Sequence, residues 1–240
     1  MTSILLVGDT HGNPGVIKRV FEEAVEKGCV AIVQLGDFGF GWSIGEDGRC
    51  DFSYLTAAFA ETTGIPFYFI DGNHENFDIL YQLPLDENGH RPIMEGVTHL
   101  PRGSVITFGE TTFLCFGGAY SVDKDQRKIG KSWWPQEQAS HAEIEAAMNQ
   151  RAHVLLSHDA PFGIQSEKEY GWLTRTFGEN ATLRSQANQR VVREVFDASG
   201  AKECFHGHLH RHWTRPIGDG RTVVGLNADG NKKSTLVLDV

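Results

Sequence analysis

Asp, Asn and His collect at five places in this chain, each directly after an apolar run of strand length. Ile4 to Val7 leads into Gly8-Asp9-Thr10-His11-Gly12, and the run ending at Leu35 into Gly36-Asp37-Phe38-Gly39. The run ending at Ile70 is followed by Asp71-Gly72-Asn73-His74-Glu75, that ending at Leu156 by Ser157-His158-Asp159, and that ending at Phe205 by His206-Gly207-His208-Leu209-His210. Imidazole nitrogen with carboxylate and amide oxygen is a donor set for transition-metal cations, and the lack of thiolate argues against a structural zinc site. A carboxylate can bridge two such ions about 3.5–4 Å apart, and the pair can set a shared hydroxide in line with an electrophilic phosphorus. Glycines beside the ligands let the backbone approach the ions and leave room for a substrate.

Five distant segments meet only on a scaffold that brings strand ends together. Short Val-, Ile- and Phe-rich runs alternate with helical periodicity in the first third, which predicts parallel strands near 3–8, 29–35 and 66–70. Pro14 opens a helix whose Val16, Ile17, Val20, Phe21, Ala24 and Val25 recur at helical spacing, and a second helix is expected over 52–62. From about 96 the rhythm changes to consecutive strands at 96–100, 104–108 and 111–116, implying hairpins and a mixed sheet. Helices are expected at 136–149 and 186–199, strands at 152–157 and 202–206, and two or three strands over 212–240, with 121–135 and 163–185 as long irregular loops. No linker or repeat interrupts this, so residues 1–240 are read as one α/β domain. In open sheets with helical crossovers the site forms outside the carboxyl ends of the strands, where these residues lie.

Taken in order, Asp9-x-His11, Gly36-Asp37, Gly72-Asn73-His74-Glu75, His158 and Gly207-His208-x-His210 resemble the five signature motifs of the calcineurin-like metallophosphoesterase superfamily. The resemblance implies a four-layer αββα sandwich of two mixed sheets with a two-metal site at the sheet ends. It implies Asp9, His11 and His210 on one ion, Asn73, His158 and His208 on the other, and Asp37 as the bridge. The ions would be divalent or trivalent transition metals, manganese foremost, with iron, zinc or nickel as alternatives. His74 would sit over the leaving-group oxygen, donating a proton or stabilising developing charge. The first and third motifs are similar to those of phosphoprotein phosphatases and bacterial diadenosine tetraphosphate hydrolases. Their second motif continues to an Asp-Arg-Gly, whereas this chain has Gly36-Asp37-Phe38-Gly39-Phe40-Gly41-Trp42. The phosphate-holding arginine is therefore missing, and so is the acid that would orient His74. The chain looks more like the small bacterial or phage members. A nucleotide-directed cyclic phosphodiesterase or nuclease, or a non-catalytic binding module on the same fold, are the competing readings; retention of His74 speaks against the module.

A replacement for the arginine is sought in the basic loop Lys124, Arg127, Lys128, Lys131, with Arg127 expected near the metals as a phosphate ligand. Trp42, Tyr120 and Trp172 are candidates for stacking a base. His206, His208, His210 and His212 alternate and would share one face of an extended chain, with Gly207 marking His208 and His210 as ligands. His90, His99, His141 and His153 stand outside any motif and are read as structural or solvated. Gly39-x-Gly41-x-x-x-Gly45 is rejected as a dinucleotide fingerprint because no helix pattern follows, and Asp123-x-Asp125 as a calcium loop because Arg127 takes the next ligand position.

The remaining composition sets limits. With 22 Lys and Arg against 31 Asp and Glu, the net charge of −9 speaks against holding extended duplex nucleic acid by charge, and leaves a small phosphorylated substrate, nucleotides included, as partner. No apolar stretch approaches the roughly 20 residues of a membrane helix, and no secretory signal follows Met1. Cys29, Cys115 and Cys204 lie in apolar runs and are expected as buried thiols in a reducing, cytoplasmic setting.

Overall fold

Ile4, Leu5, Leu6 and Val7 are all buried, yet they serve two different cores. Ile4 and Leu6 pack in one cluster, and Leu5 and Val7 in another. Successive strand side chains point to opposite faces, so a strand covered on both sides reads as an unbroken apolar run. Phe113 and Cys115 against Leu114 and Phe116 divide the same way, as do Val154 and Leu156 against Leu155. Two covered sheets stacked on each other follow from that division.

The computed structural model describes residues 2–42, 51–218 and 220–240, with the backbone alone at Asp51. Gly45 and Cys50 lie outside the described residues. Strand β1 (Ser3–Val7), helix α1 (Pro14–Lys27), β2 (Ala31–Gln34), α2 (Asp51–Thr63), β3 (Phe67–Phe69), the short α3 (Phe77–Leu80), β4 (Arg91–Met94) and β5 (Val97–His99) come first. They are followed by β6 (Val105–Phe108), β7 (Thr111–Phe116), α4 (His141–Met148), β8 (Val154–Ser157), α5 (Glu167–Phe177) and α6 (Glu179–Ser199). The chain ends with β9 (Glu203–His206), β10 (Trp213–Pro216), β11 (Thr222–Gly225) and β12 (Thr235–Asp239).

One sheet has the order β12-β1-β2-β3-β5-β4 and the other β10-β11-β9-β8-β7-β6. Both are mixed: β1, β2, β3 and β5 run parallel, as do β7, β8, β9 and β11, and each parallel set is flanked by antiparallel partners. Ile4, Leu6, Val33, Phe113, Leu156 and Phe205 fill the space between the sheets. Val16, Ile17, Val20 and Phe21 of α1 cover the first sheet, and Val192, Val195 and Phe196 of α6 the second. This is the expected α/β sandwich.

Helix boundaries follow local chemistry. Asn13 caps α1, its side chain accepting from the amides of Gly15 and Val16 at 3.0 and 3.3 Å, and Pro14 fills the first turn where no amide partner is needed. Three sequence expectations fail. Strands 96–100 and 104–108 form no hairpin, because β5 pairs with β3 and β4 in the first sheet and β6 with β7 in the second. Residues 163–185 are not irregular: Ser166 and Glu169 form a capping box that starts α5, and α6 begins at Glu179 rather than at 186. The helix expected over 136–149 is shorter, because Ser140 and Glu143 form another capping box and α4 starts only at His141. Among the described residues no helix is long and apolar enough to cross a membrane. Cys29, Cys115 and Cys204 are buried free thiols.

Candidate metal centre

The loops after β1, β2, β3, β8 and β9 converge at one edge of the sandwich, as the strand-end rule requires. Asp9, His11, Asp37 and His210 offer ligand atoms within 4.8 Å of one another, and so do Asp37, His158 and His208. Asp37 is common to both groups. Its Oδ2 lies 3.5 Å from His11 Nε2 and its Oδ1 3.3 Å from His158 Nε2. Asn73 joins the second group, with Oδ1 3.2 Å from His158 Nε2. Asp9 Oδ2 is 2.9 Å from His210 Nε2, while its Oδ1 accepts from the His208 amide at 2.9 Å.

Each ligand is oriented from behind. Phe38 is fully buried against Phe52, Phe67 and Phe69, with ring centroids 4.5, 5.2 and 4.7 Å away, and anchors the loop that carries Asp37. Burying such a side chain is worth about 1.5–3 kcal/mol. Glu75 holds the same loop by accepting from the amides of Phe38, Gly39 and Phe40 at 2.8, 3.0 and 2.7 Å. Burial, and then the nearby Asp37 carboxylate, push its carboxyl up to about 8. A Cβ on Gly72 would run into the Asp37 carboxylate and amide, and one on Gly207 into the Asp9 carboxylate, so glycine is required at both.

Of six non-glycine residues with positive φ among the described residues, His11, Asp37, His208, His210 and Asp229 all stand here. Such conformations are costly and persist where surrounding contacts over-determine them. They also correct the expectation of an extended histidine run. Left-handed turns at His208 and His210 aim these two at the cluster. His206 is buried instead, accepting from Trp213 Nε1 at 3.0 Å, and takes no place in it.

The donors fit a cation pair. His158 Nδ1 donates to the Leu35 carbonyl at 2.7 Å, so its Nε2 presents a lone pair. Asn73 donates from Nδ2 to Ser121 Oγ at 3.0 Å, which turns its Oδ1 toward that nitrogen. Two acceptors facing each other need an electrophile between them, a proton or a metal ion. Burial works against a proton on His158, but the Asp37 and Asp9 carboxylates outweigh it and push its pKa up to about 10. His11 goes up to about 9 in the same way, with Asp37, Asp229 and Asp9 overcoming burial. The Asp37 carboxyl stays well below the usual range despite its burial, held there by His158 and His74.

His74 lies beside this cluster, its ring 5.7 Å from that of His11 and 4.9 Å from that of Trp42. Arg127 comes from the loop after β7, and its Nη2 donates to His74 Nε2 at 2.7 Å. Arg127 is 11% exposed, its Nε bound to Asp123 at 2.9 Å and its Nη1 3.8 Å from Glu137. Burial, with the guanidinium adding to it, pulls the His74 pKa down to about 4 against the pull of Asp37. A guanidinium only donates, so the ring is neutral and carries its proton on Nδ1. Asp123 pairs with Arg127, in keeping with the rejected calcium loop.

The structure thus brings together all nine sequence-predicted site residues. It adds others that the sequence reading missed. Asp229, after β11, accepts from His11 Nδ1 at 2.9 Å. Ser121, after β7, orients Asn73 and itself hydrogen-bonds the buried Glu137. Both follow strands of the parallel sets, so the strand-end rule applied to 111–116 and 222–225 would have flagged them.

The chain belongs to the calcineurin-like phosphoesterase family, whose profile matches residues 2–212. Among curated proteins none matches its sequence. Solved structures share the fold at low identity. A dimetal phosphatase from Danio rerio superposes with a TM-score of 0.59 at 11% identity, covering 95% of this chain and 88% of that one. A protein of Thermus thermophilus gives 0.55 at 12%, covering 95% and 89%. GAP50, described as the anchor in the inner membrane complex of Plasmodium, gives 0.51 at 11%, covering 98% and 76%.

Proposed function

We propose that residues 1–240 act as one domain that hydrolyses phosphate mono- or diesters at a two-metal centre. The observation that carries this reading is Asp37, which belongs to both ligand groups, with Oδ2 toward His11 and Oδ1 toward His158. Asp9, His11, Asp37 and His210 would hold one ion, and Asp37, Asn73, His158 and His208 the other. Bound there, two transition-metal ions, manganese foremost, supply charge for the phosphoryl oxygens and water of lowered pKa.

The chain's own residues bind and orient. His74 faces the departing oxygen as a neutral imidazole, while Arg127 fixes its ring and carries the positive charge of the pair. Arg127 thereby fills the place of the missing acid at the histidine and, through its remaining N–H groups, of the missing phosphate-binding arginine. Leaving-group charge is met by hydrogen bonds from this pair. Retention of His74 with a full ligand set favours an enzyme over a binding module.

Hydrolysis of p-nitrophenyl phosphate or its diester is expected to appear with manganese and to vanish in Asp37→Asn. His74→Ala is expected to lower kcat at least about 100-fold, and Arg127→Ala to raise KM about tenfold while lowering kcat. Folded, manganese-loaded protein inactive on a broad phosphoester panel would overturn the reading. Unchanged constants in Arg127→Ala would remove Arg127 from it.

A further inference from the structure

A cavity of about 790 Å³ opens from His208 and His210 and follows α5 away from the metal centre. That is far more room than a phosphate group needs and lies within the range of small-molecule sites. The cavity's charge is opposite to the chain's. Lys168, Arg175, Arg211 and Arg215 line it against the single carboxylate Glu169, in a chain of net charge −9.

Glu169 is fully engaged. It closes the α5 capping box on Ser166 and accepts from Arg211 at 2.8 Å, with Arg215 at 3.6 Å. Lys168 and Arg175 have no carboxylate partner among the described residues. Between them stands Trp172, 56% exposed, its ring edge-on to Phe177. Positions 168, 172 and 175 share one face of a helix. At 1.5 Å per residue they set a cation, an aromatic plane and a second cation about 6 and 4.5 Å apart along the cavity.

We propose that this cavity binds a nucleotide arm of the phosphoester, its base stacked on Trp172 and a phosphate beyond the scissile one held by Lys168 and Arg175. The inference rests on the two-metal reading in placing the scissile phosphate at His208 and His210. An aromatic plane stacks any base, and a guanidinium grips phosphate in two places. A simple alkyl or aryl ester would use neither and would leave both cations unneutralised. The occupant is therefore a nucleotide with two or more phosphates, counting the one that is cleaved.

Two diesters with the same leaving group test this on the manganese-loaded protein: methyl p-nitrophenyl phosphate and thymidine 5′-(p-nitrophenyl phosphate). The nucleoside diester is expected to have a KM at least about tenfold lower. Trp172→Ala should abolish that advantage and leave the methyl diester within about twofold. Fluorescence or calorimetric titration of the metal-free protein gives a second readout, with ADP expected to bind more tightly than AMP, and AMP more tightly than inorganic phosphate. Trp172→Ala should weaken ADP about tenfold, and Arg175→Ala should bring ADP down to the level of AMP. If neither diester is cleaved but ADP binds with this dependence on Trp172, the hydrolase reading falls and the nucleotide cavity stands. If both diesters are cleaved with equal KM, or ADP binds no better than phosphate, the cavity inference is overturned and the hydrolase reading stands.

Discussion

A histidine ligand is only as good as the group that holds its other nitrogen. His11 has one carboxylate, Asp229, on Nδ1 at 2.9 Å, and Asp37 at 3.5 Å on the Nε2 side. Such outer partners fix the ring and raise its basicity, and their loss typically costs 10–100-fold in metal affinity or activity. Asp229→Ala is therefore expected to weaken manganese binding by roughly that factor, read by calorimetric titration, while the thermal midpoint of the metal-free protein stays close to the parent's. An unchanged affinity would show that Asp37 and the backbone suffice to place the ring. The ligands themselves were legible in the sequence, because each follows a strand within a few residues and all but His158 have a glycine close by. Asp229 was not, because it follows β11 inside the stretch 212–240, where the sequence showed two or three strands without fixing where each ends. The left-handed turns at His208 and His210 were equally hidden, since alternation along a chain says nothing about backbone sign.

Elements were legible in proportion to their burial. Strands β1, β2 and β8 sit in the sandwich interior and read as plain apolar runs. Helix α5 did not, since Thr174 and Thr176 are weak helix formers, Gly171 is weaker still, and its face toward the cavity is basic and aromatic rather than apolar. Its capping box was the available signal. The loop between β2 and α2 shows how an element is fixed by one residue far off in sequence, since Glu75 takes three consecutive amides, Phe38 to Phe40. Removing that acceptor leaves buried donors unsatisfied at about 1–3 kcal/mol each. Glu75→Ala is thus expected to cost on the order of 3 kcal/mol or more in urea denaturation. Above about pH 8, where the Glu75 carboxyl is ionised, Glu75→Gln keeps the volume but turns an N–H₂ toward those same amides, so it should lose much of the stability too. If Glu75→Gln were as stable as the parent, packing rather than accepting would be its role. Activity should fall in both variants, because the same loop carries Asp37.

At the scale of the whole molecule, the two sheets must stay in register for ligands from both to meet. Asp71 follows β3 of the first sheet, and its carbonyl accepts from Gly118 after β7 of the second at 2.8 Å. Its carboxylate accepts from Arg102 Nε at 2.8 Å and pairs with His99 at 3.1 Å, and Arg102 goes on to donate to the Gln136 carbonyl at 2.7 Å. Burial alone would raise the Asp71 carboxyl, but Arg102 and His99 bring it down from 3.8 to about 2. A carboxyl depressed in the folded state stabilises the fold above its unfolded value, and that contribution drains away as pH falls through the folded value. Here the window runs from about pH 4 down to about 2, and the contribution is roughly 2 kcal/mol. Asp71→Asn keeps the shape but leaves the buried Arg102 charge with Glu143 alone, at 3.5 Å, so at neutral pH it costs at least the roughly 2 kcal/mol of that contribution. Urea midpoints of metal-free parent and variant, measured from pH 7 to pH 2, should therefore differ most at neutral pH and converge toward pH 2. Other carboxylates titrate in both proteins alike, so the difference between the curves isolates Asp71. A gap that stays constant down to pH 2 would mean that the pair binds the sheets by shape and not by charge.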